Sequence, residues 1–316
     1  MARNKIQFQK GMSLVEFFQR YGQEGQCRDQ FFKWRWPNGF ECPLCCCREY
    51  CTLKTRELYQ CNRCRHQTSL TSGTILEASK LPFTTWFLGM FLMTQTKNGI
   101  SAMELSRQLG VSYNAAWRLK HKLMQVMKER DDSRPLQGYV QLDDAYWGGE
   151  KHGGKRGRGS ANKHPFVAAV QTNEENCPLY MRFSMVTSFR KKELEHWANK
   201  HLGDHTCCVV SDGLGAFTGI VDAGHSHTAV VTGGGHESMA NELFTWVNTM
   251  IGNVKNSLRG SYHNISPRHL PRYLAEYCYR FNRRFDLKAM VSRLGYMAAR
   301  TCPMPARLLK LAEPQW

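Results

Sequence analysis

The sequence predicts a multidomain chain: a small module built on paired cysteines, an all-α helix-turn-helix segment, and an α/β domain with a mixed central sheet. Three observations carry this reading. Cysteines cluster near the front, helical periodicity gives way to strand periodicity beyond residue 135, and the elements after that point follow a distinctive order. At 316 residues the chain has room for two or three domains, since one domain usually takes about 100 to 200 residues. A composition of 42% hydrophobic and 22% charged residues excludes a disordered or collagen-like chain.

Four of the 13 cysteines stand as Cys42-Pro-Leu-Cys45 and Cys61-Asn-Arg-Cys64. This is zinc-ribbon spacing: each C-x2-C pair makes a tight knuckle, and two knuckles set four thiolates about 2.3 Å from one Zn²⁺. A segment of about 40 residues buries too little core to fold alone, so the expected zinc is structural. Cys46, Cys47 and Cys51 are alternatives to Cys45 as the second ligand. Cys27, Cys177, Cys207, Cys208, Cys278 and Cys302 lack ligand spacing and read as apolar fillers. The N-terminal residues show no secretory pattern, which places the chain in a reducing cytoplasm where disulfides are not expected. Nor is a membrane span expected, because the longest apolar stretch, Leu81 to Met93, falls short of the roughly 20 residues required.

Lys and Arg number 43 against 26 Asp and Glu, a net charge of +17 that calls for a polyanionic partner, foremost nucleic acid. The front of the chain divides into a helical lead-in over residues 1–36, with a short helix from Met12 to Arg20, and the ribbon over 37–72. Residues 80–130 predict helices over Phe83–Thr96, Ala102–Leu109 and Tyr113–Met127, with Gly110 ending the second and Ser112 capping the third. The last two have a helix-turn-helix plan, and Asn114, Arg118, Lys120, His121 and Lys122 give the final helix a basic face suited to a DNA groove.

The charged stretch Glu129–Pro135 marks a boundary. Beyond it, strands are expected over Gly138–Ala145, His164–Thr172 and Leu179–Thr187, a helix over Lys191–His201, and a strand over Thr206–Ser211. A short helix over Gly213–Ala223, a strand over Thr228–Val231 and a long helix from about Met239 to Arg259 follow. This is the element order of the ribonuclease H-like fold. It assigns 136–290 to the α/β domain and leaves 291–316 as a C-terminal tail.

Asp143 and Asp144 end the first of these strands and Asp212 follows the fourth. If those strands adjoin, the carboxylates meet and repel unless a hard divalent cation, Mg²⁺ or Mn²⁺, lies between them. Alternation puts Gln141 and Asp143 on one face and Val140 and Leu142 on the other, so a single aspartate of the pair faces the ion, and periodicity alone does not choose. Asn248 lies 36 positions after Asp212, and Lys255 two helical turns beyond it on the same face.

The spacing Asp, x35, Asn, x6, Lys resembles the signature of the DDE transposases, with asparagine in place of the usual glutamate. CPLC, CNRCRHQTSLTSGTI, SKLPFTTWF, LDDAYWGG, WVNTMIGNVKNSLRGSYH and YLAEYCYRFNRR extend the likeness over about residues 12 to 290. Together they resemble insertion-sequence transposases that join a zinc ribbon to a DDE domain, the ISXO2-like family, in its asparagine-lysine subgroup. The resemblance implies catalysis by Asp143, Asp212, Asn248 and Lys255. Asp143, Asp212 and Asn248 would hold two Mg²⁺ or Mn²⁺ ions for cleavage and strand transfer at terminal inverted repeats. Glu242, Asn253 and Glu237 are rivals for the third position, but neither Glu242 nor Asn253 has a lysine at plus seven, and Glu237 precedes the helix.

Glu276, Arg280 and Arg283 match an accompanying Glu-x3-Arg-x2-Arg signature and, if helical, share one face as an ion-pair cluster. The glycine-rich loop after the first aspartate offers Lys151, Lys155, Arg156, Arg158 and Lys163 to phosphates, and Arg268, His269, Arg272, Arg283 and Arg284 extend that surface. Expected partners are the double-stranded DNA of the element ends and of the target. A homodimer or higher assembly on the DNA and a nucleoid-associated location are expected with them. The competing readings are a zinc-ribbon and helix-turn-helix regulator without catalysis, and a ribonuclease H-like nuclease that cuts without joining.

Overall fold

The computed structural model describes residues 10–148, 162–203, 207–230, 242–262 and 265–311. They form two compact units, one comprising the chain up to Val126 together with Arg283–Leu311, the other Met127–Asn282.

The first unit opens with α1 (Leu14–Tyr21), capped by the Ser13 hydroxyl accepting from the Glu16 amide, and α2 (Glu24–Arg35), begun by a Gln23/Gln26 capping box. A three-stranded antiparallel sheet follows, of β1 (Tyr50–Leu53), β2 (Leu58–Cys61) and β3 (Gln67–Ser69). Its aromatic packing joins Phe40, Tyr50 and Tyr59 to Trp36. The apolar stretch near residue 81 becomes the buried helix α3 (Phe83–Gln95). Then come α4 (Ala102–Leu109) and α5 (Tyr113–Asp132), joined through Gly110, whose φ of 64° is one that glycine adopts without strain. α5 continues to Asp132, so the charged stretch expected to end the segment is partly helical.

Of the residues expected as a tail, 291–311 instead belong to this unit and lie largely in two helices, Met290–Ala298 and Ala306–Leu311, labelled α10 and α11 below. A Cβ on Gly295 would lie 2.1 Å from the Trp34 ring, so glycine permits that approach of α10 to α2.

The second unit holds β4 (Tyr139–Trp147), β5 (His164–Thr172), β6 (Pro178–Met185), α6 (Lys191–His201), β7 (Cys208–Ser211), α7 (Gly219–Asp222), β8 (Ser226–Ala229), α8 (Thr245–Ser261) and α9 (Leu270–Asn282). The five strands lie in the order β6-β5-β4-β7-β8. β5 is antiparallel to β4 and β6, whereas β7 is parallel to β4 and β8 to β7. This mixed sheet has the ribonuclease H-like arrangement.

On one face Val140, Leu142, Val167, Ala169 and Val209 pack with Leu194 and Trp197 of α6 and with Phe217 and Ile220. On the other Ala145, Phe166, Ala168 and Val170 pack with Val247, Met250, Val254 and Leu258 of α8 and with Leu270, Leu274 and Cys278 of α9. Each fully buried large apolar side chain contributes about 1.5–3 kcal/mol, so both faces hold the strand ends in place. The described part of the long helix begins at Thr245, after a 3-10 turn over Glu242–Phe244. Among the described residues no helix is long and apolar enough to cross a membrane.

Candidate active site and metal centres

The two cysteine knuckles have the same backbone plan. Cys46 and Arg65, each just after the second cysteine of its pair, adopt left-handed φ values of 56° and 62°. Their amides donate to the Cys42 and Cys61 carbonyls at 2.9 and 3.0 Å. The Cys42 and Cys61 amides in turn donate to the Cys47 and His66 carbonyls, both at 2.9 Å. This turn aims both thiols of each pair inward, and Cys42, Cys45, Cys61 and Cys64 form one cluster. Cys46 instead closes its turn and is exposed, as is Cys51.

The Cys42 and Cys64 sulfurs are 3.6 Å apart and those of Cys45 and Cys61 3.5 Å. Tetrahedral Zn²⁺ with bonds of about 2.3 Å needs roughly 3.8 Å, so the thiols fit the ion with a small expansion. The Cys64 amide, aimed at the Cys61 sulfur, favours its thiolate and brings its pKa down to about 6.

In the second unit, Leu142 pairs with Ser211 in the parallel register of β4 and β7. The next residue on each strand is Asp143 or Asp212, so two aspartates 69 positions apart emerge side by side. Ligand oxygens of Asp143, Asp144 and Asp212 lie within 4.8 Å of one another. Burial, then the charges of Asp212 and Asp144, push the Asp143 carboxyl up to about 7. A carboxylate held at that cost is suited to a cation, and all-oxygen ligands suit a hard divalent one.

Strand alternation puts Asp143 on the face of Gln141 and Ala145, the face α8 covers, and Asp144 on the face of Val140 and Leu142. The Asp144 amide donates to Asp143 Oδ1 at 2.8 Å, and Asp212 Oδ1 accepts from the Leu214 amide at 3.2 Å, which orients both carboxylates. Asn248 is half-buried in the first two turns of α8. Lys255, two turns on, interacts electrostatically with Asp143 and Asp144; burial and then Arg259 lower its pKa, while the two aspartates oppose that shift. Asn253 is exposed on the same helix, and Glu237 lies outside the described residues.

Other expected contacts divide sharply. Lys163 is half-buried just before β5 and close enough to Lys255 to repel its charge. Lys151, Lys155, Arg156 and Arg158 lie outside the described residues. On α5, Asn114 and Arg118 are exposed, but Lys120 is 0% and Lys122 9% exposed, which removes these two from any DNA-facing surface. The Lys122 ammonium donates to the Ile75 and Glu77 carbonyls at 2.7 and 3.1 Å, fastening the turn before α3. From Leu119 to Met127 the helix is buried on every side, so its charged residues there serve packing.

Glu276 and Arg280 are buried in α9, 1% and 8% exposed. Glu276 accepts from the Tyr262 hydroxyl at 3.3 Å, and burial followed by the Glu276 charge raises the Tyr262 pKa. Arg283 lies in the turn after α9, off the helix face expected for it.

Two further groups went unread in the sequence. Ser211 Oγ donates to the Asp212 carbonyl at 2.8 Å and lies 2.8 Å from His227 Nε2. Gln141, buried beside Asp143, bonds α8 and the β5–β6 turn. The available signal was a glutamine between Val140 and Leu142 in a buried strand, since a buried carboxamide needs partners.

Residues 135–282 match the family described as ISXO2-like transposase domain, and residues 22–67 match the transposase zinc-ribbon domain. Among solved structures, the chain is similar to "Crystal structure of the Mos1 Strand Transfer Complex" at 11% identity and a TM-score of 0.24, over 66% of this chain and 78% of that one. It is also similar to "Crystal structure of a pre-cleavage Mos1 transpososome" at 10% identity and a TM-score of 0.21, over the same shares of each. No curated protein matches it in sequence.

Proposed function

We propose that this chain, which belongs to the ISXO2-like insertion-sequence transposases with a zinc ribbon, cuts DNA at terminal inverted repeats and joins it to a target at Asp143 and Asp212. The observation that carries this reading is the convergence of carboxylate oxygens within 4.8 Å at the adjoining ends of β4 and β7. Asp143, Asp212 and the Asn248 carbonyl oxygen would hold a pair of Mg²⁺ or Mn²⁺ ions. When bound, the ions supply acidity toward water or a 3′-hydroxyl and charge stabilisation for the leaving 3′ oxygen.

The protein's own groups bind and orient. Lys255 partly offsets the carboxylate charge and, with Lys163, presents positive charge to a phosphate of the scissile strand. Asn248, being neutral, leaves the third ligand position less attractive to a cation than glutamate would. Buried Glu276 and Arg280 support α9 from within the unit rather than touch DNA.

Exposed Asn114 and Arg118 give the α4–α5 hairpin a helix-turn-helix role in holding the DNA ends, joined by Lys151, Lys155, Arg156 and Arg158 of the glycine-rich loop. Two ends must be held together for transposition, so the acting form is a homodimer or larger, at work on the nucleoid.

The test uses the full chain, Mg²⁺ and labelled duplex bearing the element's terminal repeat. Asp143→Ala and Asp212→Ala are expected each to abolish cleavage and joining while keeping DNA affinity within about threefold. Joining retained by either variant removes that residue from the site. A wild-type chain that shifts the duplex without cutting it is a regulator, and one that cuts without joining is a nuclease; either outcome overturns the proposal.

A further inference from the structure

Gln141 sits on β4 two residues before Asp143, on the same face, and is 5% exposed. Its Oε1 accepts two hydrogen bonds at the start of α8, from the Trp246 amide at 3.2 Å and the Val247 amide at 3.1 Å. These are first-turn amides with no partner inside the helix, and the residue at the cap position, Phe244, supplies no side-chain acceptor. The cap therefore comes from a neighbouring strand. Gln141 Nε2 in turn donates to Asn176 Oδ1 at 2.9 Å, which fixes which way the carboxamide faces. The Asn176 carbonyl accepts from the Trp246 indole N–H, closing a loop between β4, the β5–β6 turn and the first turn of α8.

We propose that Gln141 is a positioning residue: by tying the start of α8 to β4 it sets Asn248 and Lys255 opposite Asp143, and so sets how tightly the site holds its divalent cations. This deepens the transposase reading above and rests on it. Asn248 follows Trp246 by two residues, so a rotation or slide of the first turn moves its side chain directly. Lys255 belongs to the same rigid helix. Asp143 lies on the strand that carries the cap, so one carboxamide links both sides of the site.

The experiment compares the wild-type full chain with Gln141→Leu, Gln141→Glu and Asn176→Gly. Leucine keeps the bulk and removes both acceptor and donor. Glutamate keeps an acceptor for the helix amides, which the positive end of the helix favours. Glycine at 176 tolerates the left-handed backbone there, at φ 54°, while removing the side chain that holds Gln141. Three readouts are taken: hydrogen exchange of the Trp246 and Val247 amides, Mn²⁺ binding by calorimetry on zinc-loaded protein, and the kcat and KM of DNA cleavage.

Gln141→Leu is expected to speed exchange of the two amides, weaken Mn²⁺ binding at least tenfold and lower kcat, with KM for DNA unchanged. Asn176→Gly should move the same readouts in the same direction by about threefold. Gln141→Glu should keep the two amides protected and Mn²⁺ binding within about threefold of wild type. Unchanged Mn²⁺ binding in Gln141→Leu overturns the inference. If that variant fails to fold, unchanged Mn²⁺ binding in Asn176→Gly, or loss of amide protection in Gln141→Glu, overturns it instead. Should Asp143→Ala and Asp212→Ala retain joining, it is the active-site reading that fails; should they lose it while these variants leave Mn²⁺ binding alone, only the role of Gln141 does.

Discussion

The thiol cluster and the carboxylate cluster both crowd like groups onto one point, but they are assembled by opposite means. Four thiols come from residues 42 to 64, aimed by two short turns that differ little from each other. The carboxylates come from residues 143, 144 and 212 and meet because β4 and β7 lie side by side in parallel register. The first cluster has three short strands around it, the second a five-stranded sheet with apolar packing on both faces. Zinc is therefore part of what folds the ribbon, whereas the sheet folds from its own core and carries the acidic repulsion of its carboxylates.

Zinc and the divalent cation can be withheld separately. Stripping zinc, or making Cys61→Ser, is expected to abolish hydrogen-exchange protection over Leu58–Cys61 and Gln67–Ser69 while β4 and β5 stay protected. Structural zinc is worth about 10 kcal/mol or more in comparable small modules, far beyond what this sheet gains from packing. Ribbon amides that remain protected after zinc is gone would show that the aromatic packing of Phe40, Tyr50 and Tyr59 suffices.

The opposite sign is expected at the acidic site. With zinc retained and Mg²⁺ omitted, Asp143→Asn should stabilise the second unit by on the order of 2 kcal/mol, since it removes one charge from a crowded, partly buried set. Added Mg²⁺ should then raise the melting temperature of the wild type more than that of the variant. A metal-free Asp143→Asn protein that melts below wild type would mean the carboxylate is held by contacts of its own and needs no cation.

What could be read in the sequence follows the same division. The zinc ligands were legible because their geometry is local: two C-x2-C turns carry nearly all of it. The strands and helices of the second unit were legible as an order, and the order brought Asp143 and Asp212 together once β4 and β7 were taken as neighbours. Burial on α5 was not legible. Lys120 and Lys122 look like a DNA-facing stripe, yet they lie where the helix is enclosed, and only the segment around Ile75 and Glu77 reveals what Lys122 holds. Strand alternation separates Asp143 from Asp144 without saying which face the helix covers, so in the sequence the preference for Asp143 rests on the family resemblance; the structure adds that Asp143 shares the face α8 covers, with oxygens of both aspartates in the cluster with Asp212. The Gln141 cap joins residues more than a hundred positions apart, beyond the reach of any local pattern.

A third polar cluster balances its charge among its own side chains and carbonyls. Arg182 on β6, 6% exposed, bonds Asp132 Oδ1 at 2.8 Å and the Arg134 carbonyl at 2.7 Å. Its Nη1 also lies 3.1 Å from His201 Nδ1 at the end of α6. A guanidinium donates only, so that ring nitrogen must accept and the imidazole must be neutral. Burial, and then the Arg182 charge, bring the His201 pKa from 6.5 down to about 2. The unfolded chain takes up a proton on this ring below about pH 6.5, and the folded chain does not until far lower, so stability is lost as pH falls through that window. The slope reaches about 1.4 kcal/mol per pH unit for one such group. His201→Gln keeps a carbonyl for Arg182 and has no proton to gain. Denaturation of the second unit, followed by β5 amide protection from pH 7.5 to 5, should therefore fall less steeply in this variant by one proton's worth. Equal slopes would mean that His201 takes up its proton at the same pH in the folded and unfolded chain and that Arg182 turns elsewhere. The ring would then carry its charge at no cost to the fold, unlike the crowded carboxylates.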